Sequence, residues 1–192
     1  MAKKVLLALL VIVAGLCTFI LTRPDTFHIE RTATVAAPPE IVYARLDNFH
    51  SWPEWSPWEK LDPNLKRSYS GPDSGPGASY SWVGNDKVGE GRMTILEATP
   101  ASKVAMKLEF IKPFQATDTA TFTLVPEGTS TKVTWSMDGK NNFMSKTFSL
   151  FMNMDKMVGA DFEKGLANLN TIAAHDAAQA AATAVPDTAA AK

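Results

Sequence analysis

Apolar and polar residues alternate almost without interruption through the middle of the chain. After Gly77, successive alternating segments are separated by short turns such as GND, EATPAS and PEGTS. A period of two places the apolar side chains of a strand on one face, and short turns are typical of antiparallel neighbours. The pattern therefore predicts an antiparallel meander with one apolar and one solvated face. The apolar face is predicted to hold Tyr80, Trp82, Gly89, Gly91, Met93, Ile95, Val104, Met106, Leu108, Phe110, Asp118, Ala120, Phe122, Leu124, Val133, Trp135 and Met137.

A strand and a short helix are predicted before the meander. Residues 27–37 alternate and are rich in Thr and Val, which favours a strand. In the next stretch, PPEIVYARLDNF, the residues Val42, Leu46 and Phe49 fall at i, i+4 and i+7 and form one apolar stripe. The pair of prolines suits the first helical turn. This segment therefore predicts a helix that ends near Asp47.

The stretch WPEWSPWEK places three tryptophans, Trp52, Trp55 and Trp58, at three-residue spacing between two prolines. Proline forbids a long helix here, so we predict a brief helical or 3₁₀ segment. Gly- and Pro-rich loops follow it, with a short strand at KRSYS between them.

The hydrophobic period changes again near the C-terminus. The segment LFMNMDKMVGADFEKGLANLNTIAA predicts an amphipathic helix of more than five turns. Its apolar stripe comprises Phe151, Met154, Val158, Phe162, Leu166, Leu169, Ile172 and Ala173. This helix is the only large element that can cover the apolar face of the sheet. We therefore predict an α+β domain whose curved sheet wraps around one long helix and encloses a cavity unless bulky side chains fill it.

The N-terminal segment is predicted to be a transmembrane anchor. After a short tail, residues 1–4, the uncharged run that fills residues 5–22 is long enough to span a bilayer. The alternative is a cleaved signal peptide, but no small-x-small site follows the run. Lys3 and Lys4 favour a cytoplasmic N-terminus. We therefore expect a single-pass membrane protein with its domain on the extracytoplasmic side, periplasmic if the source is Gram-negative.

The remaining composition excludes several classes of function. No cluster of Lys and Arg is present, so nucleic-acid binding is not expected. Cys17 is the only cysteine and lies in the apolar run, so no internal disulfide can form. The three histidines lack ligand spacing, so no metal or other cofactor is predicted. Residues 177–192 are mostly alanine and are predicted to be a disordered tail, into which the long helix can run a few turns because alanine favours helix.

Three stretches resemble one superfamily: AAPPEIVYARLDNFHSWPEWSPWEKLDP, YSGPDSGPGASYSWVGNDKVGEGRM and FMNMDKMVGADFEKGLANL. The chain resembles the SRPBCC (START / Bet v 1-like) superfamily over residues 26–174, and within it membrane-anchored bacterial members of the polyketide cyclase/dehydrase and lipid-transport group. This resemblance implies the helix-grip fold and a pocket between sheet and long helix that holds an apolar small molecule or lipid. It does not imply catalysis, because one fold hosts many functions.

We accordingly expect a protein that binds, and in that way transports or senses, a hydrophobic small molecule or lipid. A cyclase- or hydratase-type enzyme is the alternative, although no Ser elbow, usable Cys or clear base is recognisable. The third hypothesis is an interaction module with a filled core, which would leave a cavity below about 300 Å³.

Candidate site residues follow from the predicted apolar face. The expected ligand-binding residues are Trp55, Trp58, Tyr80, Trp82, Met93, Met106, Leu108, Phe122, Trp135, Met154 and Phe162. The resemblance places the tryptophans at the cavity rim, where they form either an aromatic lid or, as we favour for at least two of them, a plug.

Two polar residues on this face are the candidates for catalysis. Asp118 is either buried in an apolar cavity, where its pKa would rise, or it lies in water at the strand's mouth or opposite a bulge. Tyr80 either donates a hydrogen bond inside the cavity or points its hydroxyl outward. A methionine cluster, Met144, Met152, Met154 and Met157, is expected to be core rather than an adaptable surface.

Overall fold

A seven-stranded antiparallel sheet and one long helix form the domain, as the alternation and the change of period predict. The structure is a computed structural model that describes residues 2–184. The helices are α1 (Ala2–Leu21), α2 (Pro39–Leu46), α3 (Trp52–Trp55), α4 (Phe143–Phe148) and α5 (Met154–Ala184), with a 3₁₀ turn at Phe49–Ser51. The strands are β1 (Thr26–Val35), β2 (Lys66–Ser70), β3 (Ser79–Val83), β4 (Glu90–Thr99), β5 (Lys103–Lys112), β6 (Ala116–Glu127) and β7 (Ser130–Lys140).

The strand order is β1-β7-β6-β5-β4-β3-β2, so the meander runs outward from β7 and β1 closes its edge. A register shift between Ile95 and Glu97 interrupts the pairing of β4 with β5. Such a bulge bends its strand and increases the local twist. The sheet therefore curves around α5, and the predicted helix-grip fold is confirmed.

The two ends of the sheet are distinguished by what lies beside them. Thr26 begins β1, five residues after α1 ends, and pairs with Lys140 at the end of β7. Because the strands are antiparallel, the turns at residues 84–89 and 113–115 lie at this same end, which we call the anchor end. The turns at residues 100–102 and 128–129 lie at the opposite, far end.

Helix α5 packs along β1 from its middle towards the far end. Arg31 in β1 donates to Asp155 and Glu163 at 3.0 and 2.9 Å, and the amide of Ala36 donates to Asn170 at 2.8 Å. A Cβ on Gly159 would overlap the Arg31 guanidinium. Glycine at this position therefore permits the close approach of the helix to the sheet.

The start of the long helix was predicted too early. Phe151 lies outside α5 and is 83% exposed, because a separate helix, α4, occupies the preceding segment. Asn142 caps α4 by accepting a hydrogen bond from the amide of Ser145 at 2.8 Å. The methionine cluster is also not core, since Met144, Met152, Met154 and Met157 are all between 41% and 48% exposed.

Residues 177–184 of the predicted disordered tail continue α5, which is the extension of the long helix that the alanine content favours. Arg45 of α2 donates to both carboxylate oxygens of Asp176 at 2.7 and 2.9 Å, and Ala177 packs against the core. These contacts fix the helix there, and alanine, the strongest helix former, extends it. Residues 185–192 of the predicted tail lie outside the described residues.

One described helix, α1, is long and apolar enough to cross a bilayer. It spans Ala2–Leu21, so residues 2–4 are helical rather than the separate tail predicted, and Met1 lies outside the described residues. A signal sequence near an N-terminus has the same properties. The helix is therefore either a membrane span or a signal sequence.

Candidate functional site

A cavity of about 270 Å³ lies between the sheet and the first turns of α5. Its walls come from β3 to β7, from residues 52–65 and from the start of α5. The lining residues are Trp52, Ser56, Trp58, Glu59, Leu65, Tyr80, Trp82, Lys87, Val88, Met93, Leu108, Phe110, Ala120, Trp135, Met137, Val158, Asp161 and Phe162. Most of them are apolar, which suits an apolar guest.

The cavity occupies the anchor half of the sheet because the far half is filled. Trp55 packs edge to face against Phe122 and Trp135, with ring centroids 6.0 and 5.7 Å apart. Leu166 and Leu169 of α5 are fully buried in the same core. Towards the anchor end α5 has not yet begun, and Ala120 contributes only a methyl group. The space left there is the cavity.

The three tryptophans divide between the filled and the open half. Trp55 is fully buried, donates from Nε1 to the carbonyl of Arg45 at 3.3 Å, and is absent from the cavity wall. Trp52 is also buried, donates to the carbonyl of Leu46 at 3.2 Å, and contributes to the wall. Trp58 is half-buried and lines the cavity. Two of the three are thus buried and fill space between the sheet and the long helix, and Trp58 is the one placed to cover the cavity.

The structure brings most of the predicted ligand-binding residues together. The predicted residues that line the cavity are Trp58, Tyr80, Trp82, Met93, Leu108, Trp135 and Phe162. Trp55, Met106 and Phe122 are instead fully buried in the filled half. Met154 is 44% exposed and does not line the cavity; it is the first residue of α5, one turn before Val158, which does.

Sequence reasoning missed several cavity residues. Phe110, Ala120 and Met137 lie on the predicted apolar face but were not selected, and their shared parity could have identified them. Glu59 and Lys87 lie in loops, where no hydrophobic period indicates which way a side chain points. Asp161 was assigned to the polar side of α5. The hydrophobic pattern contains no signal for these three.

A network of three polar side chains supports one wall. The Tyr80 hydroxyl donates to Glu59 Oε1 at 2.5 Å, and Arg67 Nε donates to Glu59 Oε2 at 2.6 Å. The Glu59 side chain is only 5% exposed. Burial and the neighbouring carboxylate raise the pKa of Tyr80, since both oppose a phenolate. The Tyr80 hydroxyl is therefore held by Glu59 rather than free to donate to a ligand.

Trp135 is the central aromatic side chain of the wall. Its ring stacks on Phe162 with centroids 4.1 Å apart and planes 6° from parallel. A Cβ on Gly165 would lie 2.7 Å from the Trp135 ring, so the glycine lets α5 approach it. Trp135 Nε1 is buried and has no hydrogen-bond partner within residues 2–184. This N–H is therefore a buried donor without a partner, on a ring that lines the cavity.

Asp118 faces the interior of the domain rather than water. It is 6% exposed, which rules out the solvent-exposed alternative, and it lies two residues from Ala120 on β6 without itself lining the cavity. Its Oδ1 has no hydrogen-bond partner in the described part of the chain. A Cβ on Gly139 would overlap this oxygen, so the pocket of the carboxyl depends on glycine there. Burial raises the pKa of Asp118 to about 6.

Asp118→Asn is expected to stabilise the protein at neutral but not at acidic pH. The pKa of Asp118 rises from the ordinary 3.8 to about 6 on folding, so the folded state holds the proton more tightly. Stability is therefore undiminished below pH 3.8 and falls as pH rises through 6. The isosteric amide removes this loss, worth about 1–3 kcal/mol near pH 7. Urea unfolding near pH 4 and pH 7 measures it, and a difference that does not depend on pH would contradict it.

The described residues include no metal-binding group. Between residues 2 and 184 no three His, Cys, Asp or Glu side chains come together in a way that could hold an ion.

Comparison with known proteins follows this architecture. The family described as "Polyketide cyclase / dehydrase and lipid transport" matches residues 26–174. No curated protein matches the sequence significantly. Similar solved structures include protein CV1439 from Chromobacterium violaceum, at 15% identity over 79% of this chain and 99% of that chain, with a TM-score of 0.55.

Two further structures have the same fold. Ara h 8.0201 is 13% identical, with 80% of this chain and 99% of that chain covered and a TM-score of 0.52. The di-domain ARO/CYC StfQ from the steffimycin biosynthetic pathway is 12% identical, with 80% of this chain and 52% of that chain covered and a TM-score of 0.59. At these identities the likeness concerns the fold alone.

Proposed function

Since the chain belongs to the polyketide cyclase/dehydrase and lipid transport family, we propose that it binds a hydrophobic small molecule or lipid in the cavity beside α5. The observation that carries this proposal is the cavity itself, an apolar space of about 270 Å³ walled by aromatic and aliphatic side chains. Such a site favours an apolar guest because binding removes apolar surface from water. Transport and sensing both follow from reversible binding of this kind.

The size and the few polar groups of the cavity narrow the ligand class. The volume of about 270 Å³ lies just below the bound of about 300 Å³ that we set for a filled core, so the apolar lining rather than the volume supports ligand binding. Ligand cavities usually measure about 300–1,000 Å³, so this one suits a small or slender molecule. Lys87 is exposed and Asp161 half-exposed, so these two charged residues mark the mouth. Trp135 Nε1 is an unpartnered donor in the wall, as far as residues 2–184 are concerned. We propose a ligand with an apolar body, an acceptor for this N–H, and a polar group at the mouth.

We also propose that α1 is retained as a membrane anchor. The observation in favour is that α1 packs against α4 of the domain and that Ile20, near the end of α1, is buried. Lys3 and Lys4 favour the cytoplasm, which puts the domain on the extracytoplasmic side. An N-terminal sequence beginning at residue 1 in membrane-bound protein would support this, whereas one beginning after residue 21 would show a cleaved signal.

Native mass spectrometry tests the binding proposal directly. The hydrophobic core runs from Ile29 to Ala173, so a fragment of residues 26–184 keeps all of it. Purified from a bacterial host without detergent, this fragment is expected to carry an apolar ligand. A bare mass, together with tryptophan fluorescence that does not respond to a panel of lipids and aromatic compounds, would contradict the proposal and favour a filled core.

Ala120→Phe is expected to weaken ligand binding by about tenfold or more, or about 1.4 kcal/mol. The new ring occupies the open space beside Ala120, so the fold should tolerate it. Thr123→Phe is the matched control, because Thr123 is exposed on the outer face of the same strand. Titration of both variants with the ligand identified by mass spectrometry measures the effect. Equal affinity of the two variants would place the ligand elsewhere.

A cyclase- or hydratase-type enzyme is the second candidate, and Asp118 is the observation that favours it. A buried carboxyl with an unpartnered oxygen and a pKa of about 6 can exchange a proton near neutral pH. One similar structure bears the description ARO/CYC. The enzyme proposal requires Asp118→Ala to abolish turnover of a polyketide-like substrate while ligand affinity stays unchanged. Loss of affinity alone would leave Asp118 as a residue that only positions the ligand.

A further inference from the structure

We propose that the apolar segment 143–157, together with Phe114, is a bilayer-docking surface that brings the cavity mouth against the leaflet in which α1 ends. The inference rests on the proposed lipid ligand and on the proposed retention of α1. It adds a route: the ligand passes between bilayer and cavity without crossing water. The occupant of this surface is a lipid bilayer rather than a second protein.

The topology places the mouth of the cavity at the anchor end. Lys87 and Val88 belong to the turn between β3 and β4, and Phe110 lies near the end of β5. Val158 and Asp161 belong to the first turns of α5. The turn and the end of β5 lie at the end of the sheet that α1 enters, whereas the first turns of α5 lie beside the middle of the sheet, where Asp155 bonds Arg31. A bilayer that holds α1 is therefore on the same side of the domain as the mouth.

The segment 143–157 exposes an unusual amount of apolar surface. Three phenylalanines and four methionines within it are each more than 40% exposed, and Phe151 reaches 83%. Phe114, 54% exposed in the turn after β5, packs against Phe148 with ring centroids 5.9 Å apart. Contiguous exposed apolar patches of this kind mark binding surfaces for proteins or membranes. Phenylalanine is well suited to the headgroup boundary, and methionine adapts to an irregular partner.

Contacts between this segment and the anchor decide in favour of the bilayer. Helix α4 packs against α1. Lys146 is 6% exposed and donates to Asp25, which follows α1. Asn141 donates to the carbonyls of Pro24 and Thr26 at 3.1 and 3.3 Å. The apolar segment is thus tied to the last residues before the membrane span, so its exposed side chains lie at the depth where the bilayer begins.

Lipid-phase quenching on the full chain tests the docking. The protein is reconstituted into vesicles of phosphatidylcholine and phosphatidylglycerol that contain a lipid carrying a nitroxide near its headgroup. An environment-sensitive fluorophore is attached to Phe151→Cys or to Met157→Cys, each in a Cys17→Ser background. Thr129→Cys, exposed in the turn at the far end, is the matched control. Native Cys17, inside α1, reports whether the span is inserted.

We expect both segment labels to be quenched several-fold more strongly than the label at residue 129. Quenching at Cys17 with none beyond the control at residues 151 and 157 would overturn the docking surface. An unquenched Cys17 would overturn it too, because α1 would then lie outside the bilayer.

A second measurement separates this inference from ligand binding itself. Phe114→Asp/Phe151→Asp places charges on exposed positions and should leave the fold intact. We expect it to slow uptake of lipid from vesicles several-fold while uptake of a water-soluble short-chain analogue stays unchanged. Equal slowing of both would contradict the route through the bilayer. If the parent protein takes up neither, the proposed function fails, and the quenching result is judged alone.

Discussion

Trp55→Ala should lower the free energy of unfolding by about 3–5 kcal/mol, the usual cost of truncating a buried Trp to Ala. Trp55 is fully buried, and its ring packs against Trp52, Phe122 and Trp135. Its carbonyl accepts a hydrogen bond from Asn168 of α5 at 2.9 Å. The tryptophan therefore joins the short helix, the sheet and the long helix at one point. Removing the ring leaves a void that three rigid elements cannot all move to fill.

Trp58→Ala is the matched control for that experiment. Trp58 stands three residues further on, is half-buried, and touches Trp135 and Phe162 from the cavity side. We expect it to cost about 1–2 kcal/mol of stability, since part of its side chain is already exposed, and to weaken ligand binding more than its effect on the fold would explain. Urea unfolding and ligand titration of both variants give the comparison. Equal losses of stability would mean that Trp58 is part of the plug as well.

The strand phases could be predicted from the sequence because one face of the sheet is solvated. Alternating Thr and apolar residues in β6 allow only one phase, and the buried Ala120, Phe122 and Leu124 confirm it. A slip by one residue would expose the whole apolar set. Where both faces are partly covered, as at the buried Ala105 in β5, the alternation is less informative.

The start of α5 could not be predicted because it depends on the separate helix α4, which Asn142 caps, rather than on periodicity. Phe151 fits the helical stripe, yet α4 ends three residues before it and the intervening turn leaves it exposed. The same displacement explains the cavity. Had the long helix begun at Phe151, another turn would cover the anchor end of the sheet. Met154 was predicted to be a site residue because it lies on the same helical stripe as Val158 and Phe162, but it does not line the cavity.

The sequence also could not predict which half of the sheet's apolar face is filled by side chains and which half is left open as the cavity. Met106 and Leu108 share one strand face, but only Leu108 lines the cavity, because Met106 lies further towards the far end. Pattern reasoning assigns a face and not a position along it. The polar residues were harder still, since Glu59 sits in a loop and reaches the wall only through its bonds to Tyr80 and Arg67. Its role is a consequence of tertiary packing.

Arg67→Ala is the second substitution for which we expect a large effect, a loss of about 2–4 kcal/mol in the free energy of unfolding. Arg67 Nε bonds Glu59 Oε2 at 2.6 Å, and Nη2 donates to the Glu59 carbonyl at 3.2 Å. With Arg67 gone, a carboxylate that is 5% exposed keeps only the Tyr80 hydroxyl as a partner. An uncompensated buried charge is costly, about 3–5 kcal/mol in a fully buried pair. The 31% exposure of the Arg67 side chain reduces that figure.

The double variant Glu59→Gln/Arg67→Leu separates the worth of the ion pair from the cost of breaking it. The introduced amide is neutral and keeps an acceptor for Tyr80, so we expect the double variant to be more stable than Arg67→Ala alone. Lys103→Ala, which breaks the pair with Glu97 at 2.8 Å between side chains that are 40% and 53% exposed, is the surface control and should cost at most about 1 kcal/mol. Urea unfolding of the set measures all three. A double variant less stable than the parent protein would show that the network is a net source of stability. A double variant more stable than the parent would show that the buried carboxylate costs stability at the wall of the site, where it accepts the hydrogen bond of Tyr80.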